Sequence, residues 1–136
     1  MTENLPVIAV IGGTGAEGSG LAARWAHAGY RVIVGSRNAD NALETAKEIG
    51  AEGMDNAAAV AACNIAVLTV PFAAQRATLI SLREALQGKI LVDVTVPLVP
   101  PKVMRVRLPE EGCAALIAQS VLGDDVRVVS AFQNVS

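Results

Sequence analysis

The stretch Val7-Ile8-Ala9-Val10-Ile11-Gly12-Gly13-Thr14-Gly15-Ala16-Glu17-Gly18 decides the fold. Its first five residues are apolar without a break, so they read as a strand buried on both faces, the habit of parallel sheets covered by helices. Glycines follow at 12, 13, 15, 18 and 20, and residues 13–18 spell G-x-G-x-x-G. From Ala16 to about Ala28 the apolar spacing turns helical, with Leu21, Trp25 and Ala28 on one face and Gly29 as terminator. Buried strand, glycine turn and helix in direct succession form the context in which this motif binds a dinucleotide. Gly13 permits the tight turn, Gly15 lets a pyrophosphate reach the backbone, and Gly18 allows close helix–strand packing. Free N–H groups and the helix dipole then hold the phosphates. A Glu17 carboxylate would repel them, so its side chain is expected in solvent and its backbone N–H at the ligand.

Outward from this unit, strand-length apolar runs alternate with helical segments to the end of the chain. Strands are expected at 31–35, 51–54, 65–70, 89–95 and 126–131, the third of all at best a short edge strand because Gly53 weakens it. Helices are expected at 41–49, 56–62 (capped by Asp55), 73–86 and about 111–122. The VPLVPP segment, 96–101, reads as a stiff extended loop. The pattern predicts an α/β fold: a Rossmann-type doubly wound parallel sheet of about six strands in three αβα layers. The expected strand order is 3-2-1-4-5-6, with right-handed crossovers.

A chain of 136 residues supports one core. Hydrophobic residues at 52% exclude intrinsic disorder, and aromatics at 3% leave that core to Ala, Val, Ile and Leu. Eleven Lys and Arg stand against 13 Asp and Glu with no basic run, so no nucleic-acid partner is expected. Cys63 and Cys113 form no CxxC pair and read as small buried hydrophobes, not a disulfide or metal site. No signal peptide or membrane span is expected, and the location expected is cytoplasmic.

The end of the second strand indicates which dinucleotide fits. An NAD site places an acid there for the ribose 2′-hydroxyl. This chain places Ser36-Arg37-Asn38 there, about 20 residues after the glycines. A hydroxyl followed by a guanidinium suits a 2′-phosphate, which arginine binds with paired N–H donors while stacking on adenine. The expected cofactor is therefore NADP(H).

Four pieces then occur together in order: Ile11-Gly-Gly-Thr-Gly15, Val34-Gly-Ser-Arg37, Ala66-Val-Leu-Thr-Val-Pro71 and Pro97-Leu-Val-Pro100. In these the chain closely resembles the NADPH-dependent coenzyme F-420 reductase (F420H2:NADP oxidoreductase) family, over nearly its whole length. The resemblance implies an oxidoreductase passing hydride between NADP(H) and coenzyme F-420, an 8-hydroxy-5-deazaflavin. It implies that Thr14, Gly15, Ala16 and Glu17 line the pyrophosphate, Ser36 and Arg37 the 2′-phosphate, and Val70, Pro71 and Phe72 the nicotinamide side. Leu98, Val99 and Pro100, with Gln133, Asn134 and Val135, would face the deazaflavin. Family members continue into a helical C-terminal segment that helps form the deazaflavin pocket and a homodimer. Residues 1–136 are accordingly expected to be a single NADP(H)-binding domain without that segment.

Hydride transfer needs proximity, orientation and exclusion of water more than an acid or base, so no catalytic residue is named. His27 is expected to stabilise a helix C-terminus, and Asp93 to accept loop N–H groups. Ser120 and Ser130 lack a histidine partner, Trp25 and Met54 read as core or near-core, and Glu44, Lys47 and Glu48 as a solvated face. The site is expected at the carboxyl ends of the first and fourth strands, where Pro71 and the later prolines give flat apolar walls for stacked planar rings. Two other readings keep the dinucleotide: a flavin, metal, imine or keto-acid reductase, and a non-catalytic binding module.

Overall fold

The computed structural model describes residues 5–95 and 114–131. Strands β1 (Ile8–Ile11), β2 (Val32–Ser36), β3 (Glu52–Asp55), β4 (Ile65–Leu68), β5 (Ile90–Asp93) and β6 (Arg127–Ser130) alternate with five helices. The helices are α1 (Ala16–His27), α2 (Ala39–Ile49), α3 (Asn56–Ala61), α4 (Phe72–Leu86) and α5 (Ala114–Leu122). All five strand pairings are parallel, in the order β3-β2-β1-β4-β5-β6. This is the doubly wound sheet expected from the alternation.

Side chains of a strand point alternately to its two faces, and the core divides accordingly. Ile8 and Val10, Val32 and Val34, and Val67 pack against Ala22 of α1 and Ala42 and Ala46 of α2. Ala9, Ile11, Ile33, Ala66, Leu68 and Leu91 meet Val60 of α3, Leu79, Leu82 and Leu86 of α4, and Leu122 of α5. Alanines on α1 and α2 let those helices lie close to the sheet. Trp25 and Met54 are partly buried against the core, and Cys63 is buried within it. At the sheet's edge, Arg31 donates to Glu52 from Nε (2.6 Å) and Nη2 (3.0 Å), holding that carboxyl below its ordinary range.

Several boundaries differ from those read in the sequence, for local reasons. The buried stripe of α1 runs through Gly18 and Ala22, and Ala28 is its exposed C-cap, so the stripe is rotated from Leu21–Trp25–Ala28. Helix α2 begins two residues early because the Asn38 side chain accepts from Asp40 N (2.9 Å) and Asn41 N (3.4 Å). Asp55 caps α3 as expected, accepting from Ala58 N at 2.9 Å. Strand β3 forms over Glu52–Asp55, one residue later than expected. Strand β4 ends at Leu68, two residues before Val70, since Pro71 already caps α4. Strands β5 and β6 are also shorter than the apolar runs that contain them.

One register row crosses the sheet near its carboxyl edge: Met54, Gly35, Ile11, Leu68, Asp93 and Ser130 are successive neighbours. Every expected site residue within the described region follows that row by a few positions, so the fold collects them on one edge.

Adjacent residues of α4 test the packing. Leu79 is fully buried and Ile80 is 60% exposed. Urea denaturation should show Leu79→Ala costing about 2–5 kcal/mol and Ile80→Ala within about 0.5 kcal/mol of wild type.

Candidate functional site

The site begins where β1 ends. Gly12 and Gly13 both donate to the Gly35 carbonyl, at 3.0 and 3.1 Å, which fastens the glycine turn beside the end of β2. Gly12 has φ +75°, a conformation open to glycine. From the other side, Thr69 donates twice to the Ile11 carbonyl, from N at 2.9 Å and from Oγ1 at 2.8 Å. The turn is therefore held by strands on both sides.

Gly18 marks the closest approach. A Cβ there would stand 2.5 Å from Thr69 Oγ1 and 2.8 Å from the Gly13 Cα, so the helix can meet the sheet here only without a side chain. Gly15 is different: its φ of −74° suits any residue, and an added Cβ would find only the Gly12 oxygen, at 3.7 Å. Among the described residues nothing demands glycine at 15; the space it leaves is open to a ligand. Gly15 is also the N-cap of α1 and makes no side-chain cap, so the first N–H groups of this twelve-residue helix face that space. Thr14, Gly15, Ala16 and Glu17 are all exposed. Uncapped donors beside an open surface fit a pyrophosphate.

Partial desolvation raises the Glu17 carboxyl above its ordinary pKa. Its exposure agrees with the solvent-facing side chain expected for it. Ser36, 9% exposed, accepts from Asn38 N at 3.2 Å through its hydroxyl, leaving the hydroxyl proton to donate elsewhere. Arg37 is exposed and forms no ion pair among the described residues. A rigid hydroxyl beside an exposed guanidinium, one strand from the helix N-terminus, is suited to a phosphate monoester.

Across the row, Val70 is partly buried against the core, Pro71 is exposed and Phe72 opens α4. The structure thus brings Gly13–Glu17, Ser36–Arg37 and Val70–Phe72 to one edge. Leu98, Val99, Pro100, Gln133, Asn134 and Val135, like Cys113 and the prolines at 97 and 101, lie outside the described residues. His27 ends α1, exposed and away from this edge.

Sequence reasoning missed Thr69 and Gln75. Thr69 is a polar residue at the end of an apolar strand, a visible signal read only as strand. Gln75, three residues into α4, is 1% exposed, and Asp93 likewise. Gln75 Nε2 donates to Asp93 Oδ2 at 2.7 Å, and Thr95 N donates to Asp93 Oδ1 at 2.9 Å. The expectation for Asp93, acceptance of a loop N–H, holds through Thr95; its side-chain partner across the fold was invisible in one dimension.

A family model described as "NADP oxidoreductase coenzyme F420-dependent" matches residues 7–97. The chain belongs to this family. It is 42% identical over 142 residues to an F420-dependent NADP reductase of Methanothermobacter marburgensis, an alignment covering 95% of this chain and 63% of that protein. The chain therefore spans less than two thirds of that relative's length. Among solved structures, a hypothetical protein from Sinorhizobium meliloti has a TM-score of 0.77 at 21% identity, over 93% of this chain and 60% of that one. An imine reductase from Bacillus cereus has a TM-score of 0.64 at 22% identity, over 91% and 39%. At such identities these two share the fold alone. The matched residues 7–97 include the glycine turn and the five strands β1 to β5.

The two kinds of glycine are separable. Gly15→Ala should keep the wild-type melting temperature while weakening NADPH binding by about tenfold or more, about 1.4 kcal/mol, in calorimetric titration. Gly18→Ala should lower the melting temperature itself. Glu17 sets a pH dependence of definite sign: its carboxyl, raised already, is raised further by a neighbouring phosphate, so binding should strengthen as pH falls through that pKa. Glu17→Gln should flatten the dependence and tighten NADPH at neutral pH by about two- to threefold, more at low salt.

Proposed function

We propose that this chain is the NADP(H)-binding part of an oxidoreductase that transfers hydride between NADP(H) and coenzyme F-420. The observation that carries the reading is the pairing, one strand apart, of an uncapped helix N-terminus over the open Gly15 with Ser36 and Arg37, in a chain of this family. The first element suits a pyrophosphate, and the second the 2′-phosphate that distinguishes NADP from NAD.

Thr14, Ala16 and Glu17 would hold the pyrophosphate through backbone N–H groups, and Gly15, whose own N–H donates to the Gly12 carbonyl at 3.3 Å, would leave room for it. Ser36 would donate its hydroxyl proton, and Arg37 would set two N–H donors and its planar face against the 2′-phosphate and adenine. Val70, Pro71 and Phe72 would wall the nicotinamide with apolar surface and exclude water. Leu98, Val99 and Pro100, with Gln133, Asn134 and Val135, would face the deazaflavin. Bound NADPH supplies one hydride, and water supplies the proton that completes reduction of the deazaflavin. This chain's own contribution is position and dryness, and it assigns no acid, base or metal to the step. The same reading places the protein in the cytoplasm, as a homodimer without a nucleic-acid partner.

Mixing the chain with NADPH and oxidised coenzyme F-420 should bleach the deazaflavin's visible absorbance, with NADH far slower. No bleaching, in this chain and in one extended to the relatives' length, would overturn the reading. Arg37→Glu should weaken NADPH by about 10- to 100-fold, the worth of a lost charge-assisted pair, and leave NADH within about threefold.

A further inference from the structure

At the carboxyl edge of the sheet, α4 and β5 meet through polar groups instead of apolar ones. Leu91 and Asp93 share one face of β5 by alternation, the face that α4 covers. Leu91 meets the leucines of α4, while Asp93 meets Gln75. Gln75, Asp93 and Thr95 are 1%, 1% and 4% exposed. The carboxylate bridges two elements: its Oδ2 accepts from Gln75 Nε2 at 2.7 Å and its Oδ1 from Thr95 N at 2.9 Å. Gln75 Nε2 also reaches Thr95 Oγ1 at 3.3 Å.

Burying a carboxylate is costly, and apolar residues of similar volume would hold α4 to β5 at no such cost. Hydrophobic packing is non-directional, however, and allows a helix to slide by fractions of an ångström. A set of short directed bonds does not. The bonds lie in the first turn of α4, directly after Val70, Pro71 and Phe72, and at the point where the chain leaves β5. Val94 N donates to the Leu68 carbonyl at 3.2 Å, tying that exit to β4 as well.

We propose that Gln75 and Asp93 form a positioning brace for hydride transfer. By fixing the first turn of α4 against the exit of β5, they set the place of the Val70–Phe72 wall and thereby the orientation of the nicotinamide ring. Neither residue is catalytic; both act through the wall. The proposal rests on the reading that this edge binds NADP(H). It separates the cofactor's two ends: the pyrophosphate and 2′-phosphate would be held at the carboxyl ends of β1 and β2, whereas the brace stands on β5, two places from β1 in the sheet.

Three variants test it, read by the fluorescence lifetime of dihydronicotinamide in the NADPH-saturated chain and by the NADPH dissociation constant. Gln75→Glu sets carboxylate against carboxylate. Adding Asp93→Asn restores a donor–acceptor pair with the direction reversed. The amide introduced at position 93 then donates to the carboxylate introduced at position 75, while the amide oxygen still accepts from Thr95 N. The pair Gln75→Met with Asp93→Leu fills the same space without any bond. The lifetime should fall toward that of free NADPH in Gln75→Glu and in the Met/Leu pair, and return in the Glu/Asn pair. Dissociation constants should stay within about threefold throughout, because the phosphate contacts remain. Should Gln75→Glu not fold, the comparison of the two double variants decides. A wild-type lifetime in the Met/Leu pair, or no recovery in the Glu/Asn pair, would overturn the brace. Failure of the wild-type chain to bind NADPH would instead overturn the underlying reading, and the brace with it.

Discussion

The Ile11 carbonyl is the joint on which this molecule turns. It accepts from both the backbone and the hydroxyl of Thr69, and so fixes β4 to β1 at the row where the chain leaves the sheet. The same hydroxyl lies against Gly18, where a methyl group would stand 2.5 Å from it. Helix α1 is thereby pressed onto the sheet at its first turn, with its N-terminus exposed at the edge. The direction of a helix dipole and the open N–H groups of a first turn are properties of any helix. What this protein adds is the close approach that aims them at one place.

Charge around that place is sparing. The chain carries a formal charge of −2, and the turn itself holds an acid, Glu17, with its carboxyl raised by partial desolvation. On the proposed function, attraction for a phosphate would come from fixed dipoles and from Arg37, not from a general positive field. Dipoles on a rigid turn act at short range and need no reorganisation, which suits an anionic group held at defined geometry. On the same reading Arg37, directly after β2, would add the element that separates one dinucleotide from the other.

The two halves of the core use their materials differently. Toward α1 and α2 the helices present alanines, so backbones lie close and the glycine turn stays tight. Toward α3, α4 and α5 they present larger side chains, Val60, Leu79, Leu82, Leu86 and Leu122, with Ala59 and Ala118 among them. At the upper rim of that second half packing gives way to directed bonds among the buried residues Gln75, Asp93 and Thr95. On the proposed function this edge holds planar groups in register, which needs a fixed wall as well as a filled core.

Much of this was legible in one dimension. An unbroken apolar run from Val7 to Ile11, followed by glycines at fixed offsets and a helical period, determines a strand, a turn and a helix through local sterics and side-chain periodicity alone. Repeated along the chain, that reading gave the six strands, their order and the edge where Gly13–Glu17, Ser36 and Arg37 meet. The ends of elements were less legible: the Asn38 cap depends on side-chain bonds that composition does not mark, and Pro71 ends β4 two residues earlier than the apolar run suggests. Contacts between residues distant in the chain were not legible at all. The partnership of Gln75 with Asp93 spans 18 residues, and that of Thr69 with Ile11 spans 58. Sequence determined which segments would be buried, since burial follows from apolar period. Only the tertiary structure decided which polar groups would face one another inside, since a hydrogen bond depends on ångström distances that no spacing along a chain can fix.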